Sequence, residues 1–171
     1  MKKINWVDKK FQFDLSQDLY DSVLAMLKRT PDKIAQLVSS LPGELSRKRI
    51  NDGWSIKENI GHLIDLEELH DGRIDDFLGG KEVLRAADMS NKKTEVANHN
   101  SKKINDLLEQ LKIKREHFVN RLKHLDQENL LRKSIHPRLN QAMRPIDMAQ
   151  FVLEHDNHHI QTIKELIAKL Q

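Results

Sequence analysis

Apolar residues recur every three or four positions along four long stretches of this chain, while Val, Ile and Thr nowhere gather into an alternating run of strand length. Spacing near 3.6 places such residues on one face of a helix, and each helix must bury that face against another element. The expected fold class is therefore all-α. A first segment from about Ser16 to Arg29 carries Leu19, Val23, Met26 and Leu27 in this pattern. Thr30-Pro31 then reads as an N-cap and first helical residue for Ile34, Leu37, Val38 and Leu41, which leaves open two helices or one helix with a kink.

Pro42-Gly43 breaks the chain, and Ser55-Ile56-Lys57-Glu58 has the form of a capping box, in which the Ser hydroxyl and Glu carboxylate each satisfy a backbone donor. A long helix is expected from about Ile56 to Leu78, ended by Gly79-Gly80. Lys81 to Ser101 is polar and reads as a loop with room for a short helical turn, and Ser101 to Leu125 as a third long helix. Asp126 to Arg144 reads as irregular. Pro145 suits the first position of a final helix, and Asp147 complements its positive end. Four principal helices with long connections predict a four-helix bundle, a fold whose core commonly holds metal sites. Residues 1–171 are read as a single domain, because that length buries a real core and no shift in composition marks a second module.

The chain contains no cysteine, so disulfides and thiolate ligands are excluded, and nothing near Met1 resembles a signal peptide or membrane span. The expected location is cytoplasmic. Lys and Arg number 29 against 26 Asp and Glu, and the two signs alternate along most segments. Aromatics are only 5% of the chain and the basic pairs Lys102-Lys103 and Arg132-Lys133 are isolated, so neither a nucleic acid nor a membrane is an expected partner.

The chemistry concentrates in His155-Asp156-Asn157-His158-His159. His155 and His159 are one helical turn apart on one face, close enough to grip a single ion, and they share a stripe with Val152, Ile163 and Leu166 that points into the bundle. His62, in the second turn of its helix, is the best candidate for a third ligand. Three imidazoles and no thiolate leave a divalent ion strongly electrophilic, with an open position for water or substrate. His158 is rotated away, toward Phe151, Thr162 and Glu165. Gly61 removes a side chain beside His62 where another group could come close. The metalloprotease pattern H-E-x-x-H is missing, since Asp156 follows His155.

The run from Trp54 through Gly61-His62-Leu63 to Asp65, followed near the C-terminus by His155 to Ile160, resembles the DinB-like superfamily, bacterial four-helix proteins that include YfiT-type metal-dependent hydrolases. The Thr30-Pro31 break is similar to that family too, and the resemblance extends from about Leu19 to Leu166. It implies a four-helix bundle in which His62, His155 and His159 ligate a divalent metal ion, Zn or Ni first, with Mn or Fe also admitted. It also implies a metal-dependent enzyme, a thiol S-transferase or a hydrolase, acting on a small-molecule thiol and an electrophilic substrate, and often a homodimer. The alternative within the same fold is a non-catalytic metal-binding protein of stress responses; a third reading is a structural bundle whose histidines pack or titrate.

Other residues carry lesser expectations. Asp65 is a candidate to orient a ligand from behind, with a solvated helix acid as the plainer reading. Glu67 and Glu68 either line the site or pair along their helix. Trp54 packs at the helix start or walls a substrate. His70, His99, His117, His124 and His136 have no spacing partner and are expected at the surface. Arg138 and Arg144 stand where a basic side chain could receive the carboxylate of a thiol cosubstrate.

Overall fold

A computed structural model describes residues 6–171. Its first long helix, α1 (Tyr20–Val38), runs unbroken through Thr30 and Pro31, which settles the question of one helix or two. Proline has no N–H to give the carbonyl four residues back. That carbonyl, on Leu27, instead accepts a hydrogen bond from Arg115 Nη1 at 3.3 Å, so the helix survives its proline by borrowing a donor from another element.

A single turn, α2 (Gly43–Ser46), leads to α3 (Ile56–Leu78). The predicted capping box is formed: Ser55 Oγ accepts from the Glu58 N–H and Glu58 Oε2 accepts from the Ser55 N–H. After α3 the chain makes α4 (Lys92–Val96) and a 3-10 turn at His99–Ser101 before α5 (Ile104–Lys123). The segment expected to be irregular holds α6 (Gln127–Leu130) and an antiparallel hairpin, β1 (Ser134–His136) with β2 (Gln141–Met143). Strands of three residues are too short to display a period of two. The last helix, α7 (Pro145–Leu170), opens with Arg144 and Asp147 bonded to each other. No helix among the described residues is long and apolar enough to cross a membrane.

α1 and α3 each pack against both α5 and α7. The buried apolar residues divide into two clusters, one around Leu27, Phe77, Phe118 and Val152, the other around Ile34, Ile60, Leu111 and Ile163. Following the helices from cluster to cluster gives their directions: α1 and α7 run one way, α3 and α5 the other. The α3–α5 neighbours are therefore parallel. Because α3 has 23 residues and spans about 35 Å, the chain must travel that length back before starting α5, and α4 with the His99 turn lies on this return path.

Between the two apolar clusters each long helix contributes one polar residue. Arg115 donates to Glu67 Oε1 at 2.6 and 3.0 Å and to both carboxylate oxygens of Asp156, whose Oδ2 also accepts from Thr30 Oγ1 at 2.8 Å. All four are buried, Asp156 completely. Burial alone would raise the Glu67 carboxyl, but the Arg115 charge and its hydrogen bonds hold it down at about 2.

Candidate metal centre

His62 projects from the N-terminal half of α3, and His155 and His159 from the middle of α7, immediately beside the polar layer. Each offers a ring nitrogen within 4.8 Å of the others, and all three side chains are buried. His155 Nε2 and His159 Nε2 are 3.2 Å apart. Nitrogens held about 2.0–2.1 Å from a tetrahedral ion stand roughly 3.3 Å from each other, so this pair has the separation such an ion requires.

The outer nitrogens are fixed by hydrogen bonds. The Asn59 amide nitrogen donates to the carbonyls of Trp54 and Ser55, which turns its Oδ1 toward His159 Nδ1 at 2.8 Å. An amide oxygen only accepts, so the proton of His159 lies on Nδ1 and the lone pair of Nε2 faces the cluster. The return path supplies the equivalent for His62. Thr94 Oγ1 donates to Asp65 Oδ2 at 3.0 Å and so accepts from His62 Nδ1 at 3.2 Å. His99 Nε2 donates to the same Asp65 oxygen at 2.8 Å. Burial would raise the Asp65 carboxyl, and the hydrogen bonds from His99 and Thr94 lower it below its ordinary value. Asp65 thus acts behind His62, through Thr94, and is half-buried rather than a solvated helix acid.

Burial pushes the His62 imidazole down to about 4 and His155 well below its ordinary value, with the other histidines adding to the effect on His155. Both are neutral at pH 7, the state in which imidazole ligates a metal. His155 Nδ1 is buried with no hydrogen-bond partner among the described residues. A neutral, oriented, all-nitrogen donor set fits a divalent metal ion of the imidazole-preferring kind.

A cleft of about 530 Å³ opens onto the three histidines, walled in part by Trp54, Leu66, Leu69, Phe151 and Trp6. The Trp54 ring lies 4.7 Å from that of His62 and its Nε1 donates to Glu95 Oε1 at 2.6 Å, so Trp54 is a wall of the site. Trp6 comes from a segment the sequence left unread. Its ring packs on His155 at 4.9 Å and on Phe151 at 5.3 Å, and Phe11 and Phe13 continue the same aromatic layer over α7. The gathering of Trp6, Phe11 and Phe13 near the start of a chain with few aromatics was the available signal.

Several expectations need correction. His70, His99 and His136 are buried, not at the surface, whereas His117 and His124 are exposed as expected. His99 occupies the space above Gly61: a Cβ on that glycine would stand 2.2 Å from His99 Cγ. Glu67 faces Arg115 inside the bundle and does not line the cleft, whereas Glu68, exposed and bonded to Lys93, lines an adjoining pocket of about 310 Å³ with His62 and Asp65. Arg144 is committed to Asp147 and to the Leu15 carbonyl, which removes it as a receiver of substrate. His158 stands outside the three-histidine cluster, as its rotation predicts, with its ring 5.8 Å from Trp6.

Among solved structures the fold is similar to YfiT from Bacillus subtilis, described as a probable metal-dependent hydrolase with an unusual four-helix bundle topology, with TM-score 0.82, 20% identity, and coverage of 95% of this chain and 93% of that one. It is also similar to a mycothiol-dependent maleylpyruvate isomerase, with TM-score 0.67 and 8% identity over 84% of this chain and 60% of that one. Identities this low establish the shared fold. No curated protein sequence matches the chain. Residues 26–163 match the family model of the DinB superfamily, and with the match spanning most of its length the chain belongs to the DinB superfamily.

Proposed function

We propose that His62, His155 and His159 hold one divalent metal ion, Zn or Ni before Mn or Fe, and that the protein is an enzyme that activates a low-molecular-weight thiol for attack on an electrophilic substrate. The observation that carries this reading is the set of three buried imidazoles, two of them with their outer N–H fixed, facing a cleft of ligand size. When bound, such an ion is a Lewis acid that lowers the pKa of a thiol or water beside it.

The chain's own residues orient and exclude. Asn59 and Thr94 keep the His159 and His62 lone pairs aimed at one point, and Trp54 and Trp6 shield that point from bulk water. Carboxylates that could serve as a general base for water are committed elsewhere: Asp65 to His99 and Thr94, Glu67 to Arg115. A thiol starts at a pKa of about 8.5 against about 15.7 for water, so it becomes the anion with a far smaller shift and depends less on such a base, which favours it as the nucleophile. Similarity to a mycothiol-dependent isomerase supports the thiol; similarity to a probable metal-dependent hydrolase supports water as the second reading.

Elemental analysis of untagged protein, followed by thiol consumption with 1-chloro-2,4-dinitrobenzene at one metal per chain, tests this. Metal-dependent consumption that disappears in His62→Ala is the expected result. Stoichiometric metal without consumption of any thiol, or hydrolysis of a model ester, leaves a non-catalytic metal-binding protein or a hydrolase instead.

A further inference from the structure

The cleft that reaches the three histidines also contains two arginines that are hydrogen-bonded to no carboxylate among the described residues. Arg73 lies three turns beyond His62 on α3, about 16 Å along the helix axis, and the lining follows that ridge through Leu66, Leu69 and His70. Arg73 is only 2% exposed. Its Nε donates to the Arg85 carbonyl at 3.1 Å, and its Nη nitrogens donate to nothing among the described residues. The nearby carboxylate, Asp76, is taken by Arg85 through two guanidinium bonds and a backbone bond. Arg138, from the turn of the β1–β2 hairpin, donates from Nη1 to the Val7 carbonyl at 3.0 Å, and its Nη2 is buried without a partner. Asp88 is the one acid on the cleft wall among the described residues, and it caps the backbone of Ser90 and Lys92.

A buried guanidinium without a carboxylate is costly, and a matched oxyanion is what its fork of donors fits. Burial pulls Arg73 down to about 10; the Asp76 charge opposes this, and the Arg138 and Arg85 charges add to it. His136, beside them on the hairpin, is pushed down to about 4 by burial and by both arginines, so it adds no charge of its own near pH 7. The region is a pair of guanidinium groups with open donors, neither hydrogen-bonded to a carboxylate among the described residues, inside a mostly apolar cleft.

The geometry points to an oxyanion subsite formed by Arg73 and Arg138, which holds the carboxylate or phosphate of an elongated small molecule whose other end lies at His62, His155 and His159. This deepens the proposed function by specifying the substrate class: one of the two reactants is an anion with an apolar middle, lying along α3 between Leu66 and Leu69 on one side and Phe151 on the other. The anion belongs either to the thiol or to the electrophile.

Calorimetric titration with hexanoate, hexyl phosphate and the neutral hexanamide, on metal-free and metal-loaded protein, separates the subsite from the metal. Hexanoate or hexyl phosphate should bind at least tenfold more tightly than hexanamide in both forms, and Arg138→Gln should erase the difference. Arg138 is half-exposed on a hairpin, so this variant folds even if Arg73→Gln does not. Equal binding of acid and amide, no measurable binding of either, or an undiminished preference in Arg138→Gln overturns the subsite. If no metal binds, the preference in the metal-free protein still decides it. With metal bound, 6-mercaptohexanoate tighter than hexanoate assigns the anion to the thiol, and equal affinity assigns it to the electrophile; both outcomes require the arginine pair.

Discussion

Asn59 Oδ1 accepts a hydrogen bond from His159 Nδ1 at 2.8 Å across the α3–α7 contact. Asn59 is four residues into the chain after Ser55, whose carbonyl takes the other end of its amide. The capping residue that starts α3 and the imidazole on α7 are therefore linked through one side chain, and the start of one helix sets the tautomer on another.

Asn59→Ala should leave the bundle folded and weaken metal binding about 10- to 100-fold, the usual effect of losing the group that orients a ligating imidazole. Competition with a chromogenic chelator reads this directly; an unchanged affinity would mean that packing alone orients His159.

His155→Ala and His62→Ala should each lose tight metal while keeping most helicity, because the two apolar clusters do not pass through the histidines. His158→Ala should retain its metal. Elemental analysis beside circular dichroism checks all three, and a variant that unfolds where the wild type is folded would identify a structural ion.

Arg115→Met should destabilise the protein by about 3–5 kcal/mol, since Glu67 and Asp156 are left buried without their cation. Glu67 titrates at about 2 in the folded chain against an ordinary 4.5. A depressed carboxyl contributes stability that is complete above the unfolded value and is lost as pH falls from about 4.5 toward 2. Glu67→Gln removes that contribution, so its stability should fall less steeply than the wild type's over the same window in urea titrations at stepped pH.

Gly61→Ala places a methyl against the base of the His99 ring, where no flexible tip can move aside. The return path must shift, and a loss of about 1–3 kcal/mol is expected from such overpacking. Thermal melts report the loss, and the His99 imidazole resonances report whether its bond to Asp65 survives.

The four long helices were legible because their apolar spacing is sustained, and the histidine pair was legible because both members sit in one continuous helix. The capping box at Ser55 was legible for the same reason: all its atoms are local. What could not be read depends on the return path between α3 and α5. Nothing local ties Thr94 or His99 to His62, so their approach follows only from the parallel packing of two helices. The polar layer did leave a trace: Thr30 lies between Leu27 and Ile34, Arg115 between Leu111 and Phe118, and Asp156 between Val152 and Ile160, each a polar residue in an apolar stripe. Pro31 left one helix or two open because the group that satisfies the Leu27 carbonyl, the Arg115 guanidinium, is distant in sequence.

The layer formed by Thr30, Glu67, Arg115 and Asp156 acts on the bundle like a detent on a sliding bolt. Apolar side chains alone tolerate a helix slipping along its axis by a turn, but here any slip would drive a charge into Leu27 or Ile60 and their neighbours. One turn of slip moves a histidine by about 5.4 Å, more than the whole width of the three-nitrogen cluster. A version of this bundle with the layer replaced by well-packed leucine and methionine could match it in stability and still lose the alignment of its three histidines, since alignment and strength are supplied by different residues.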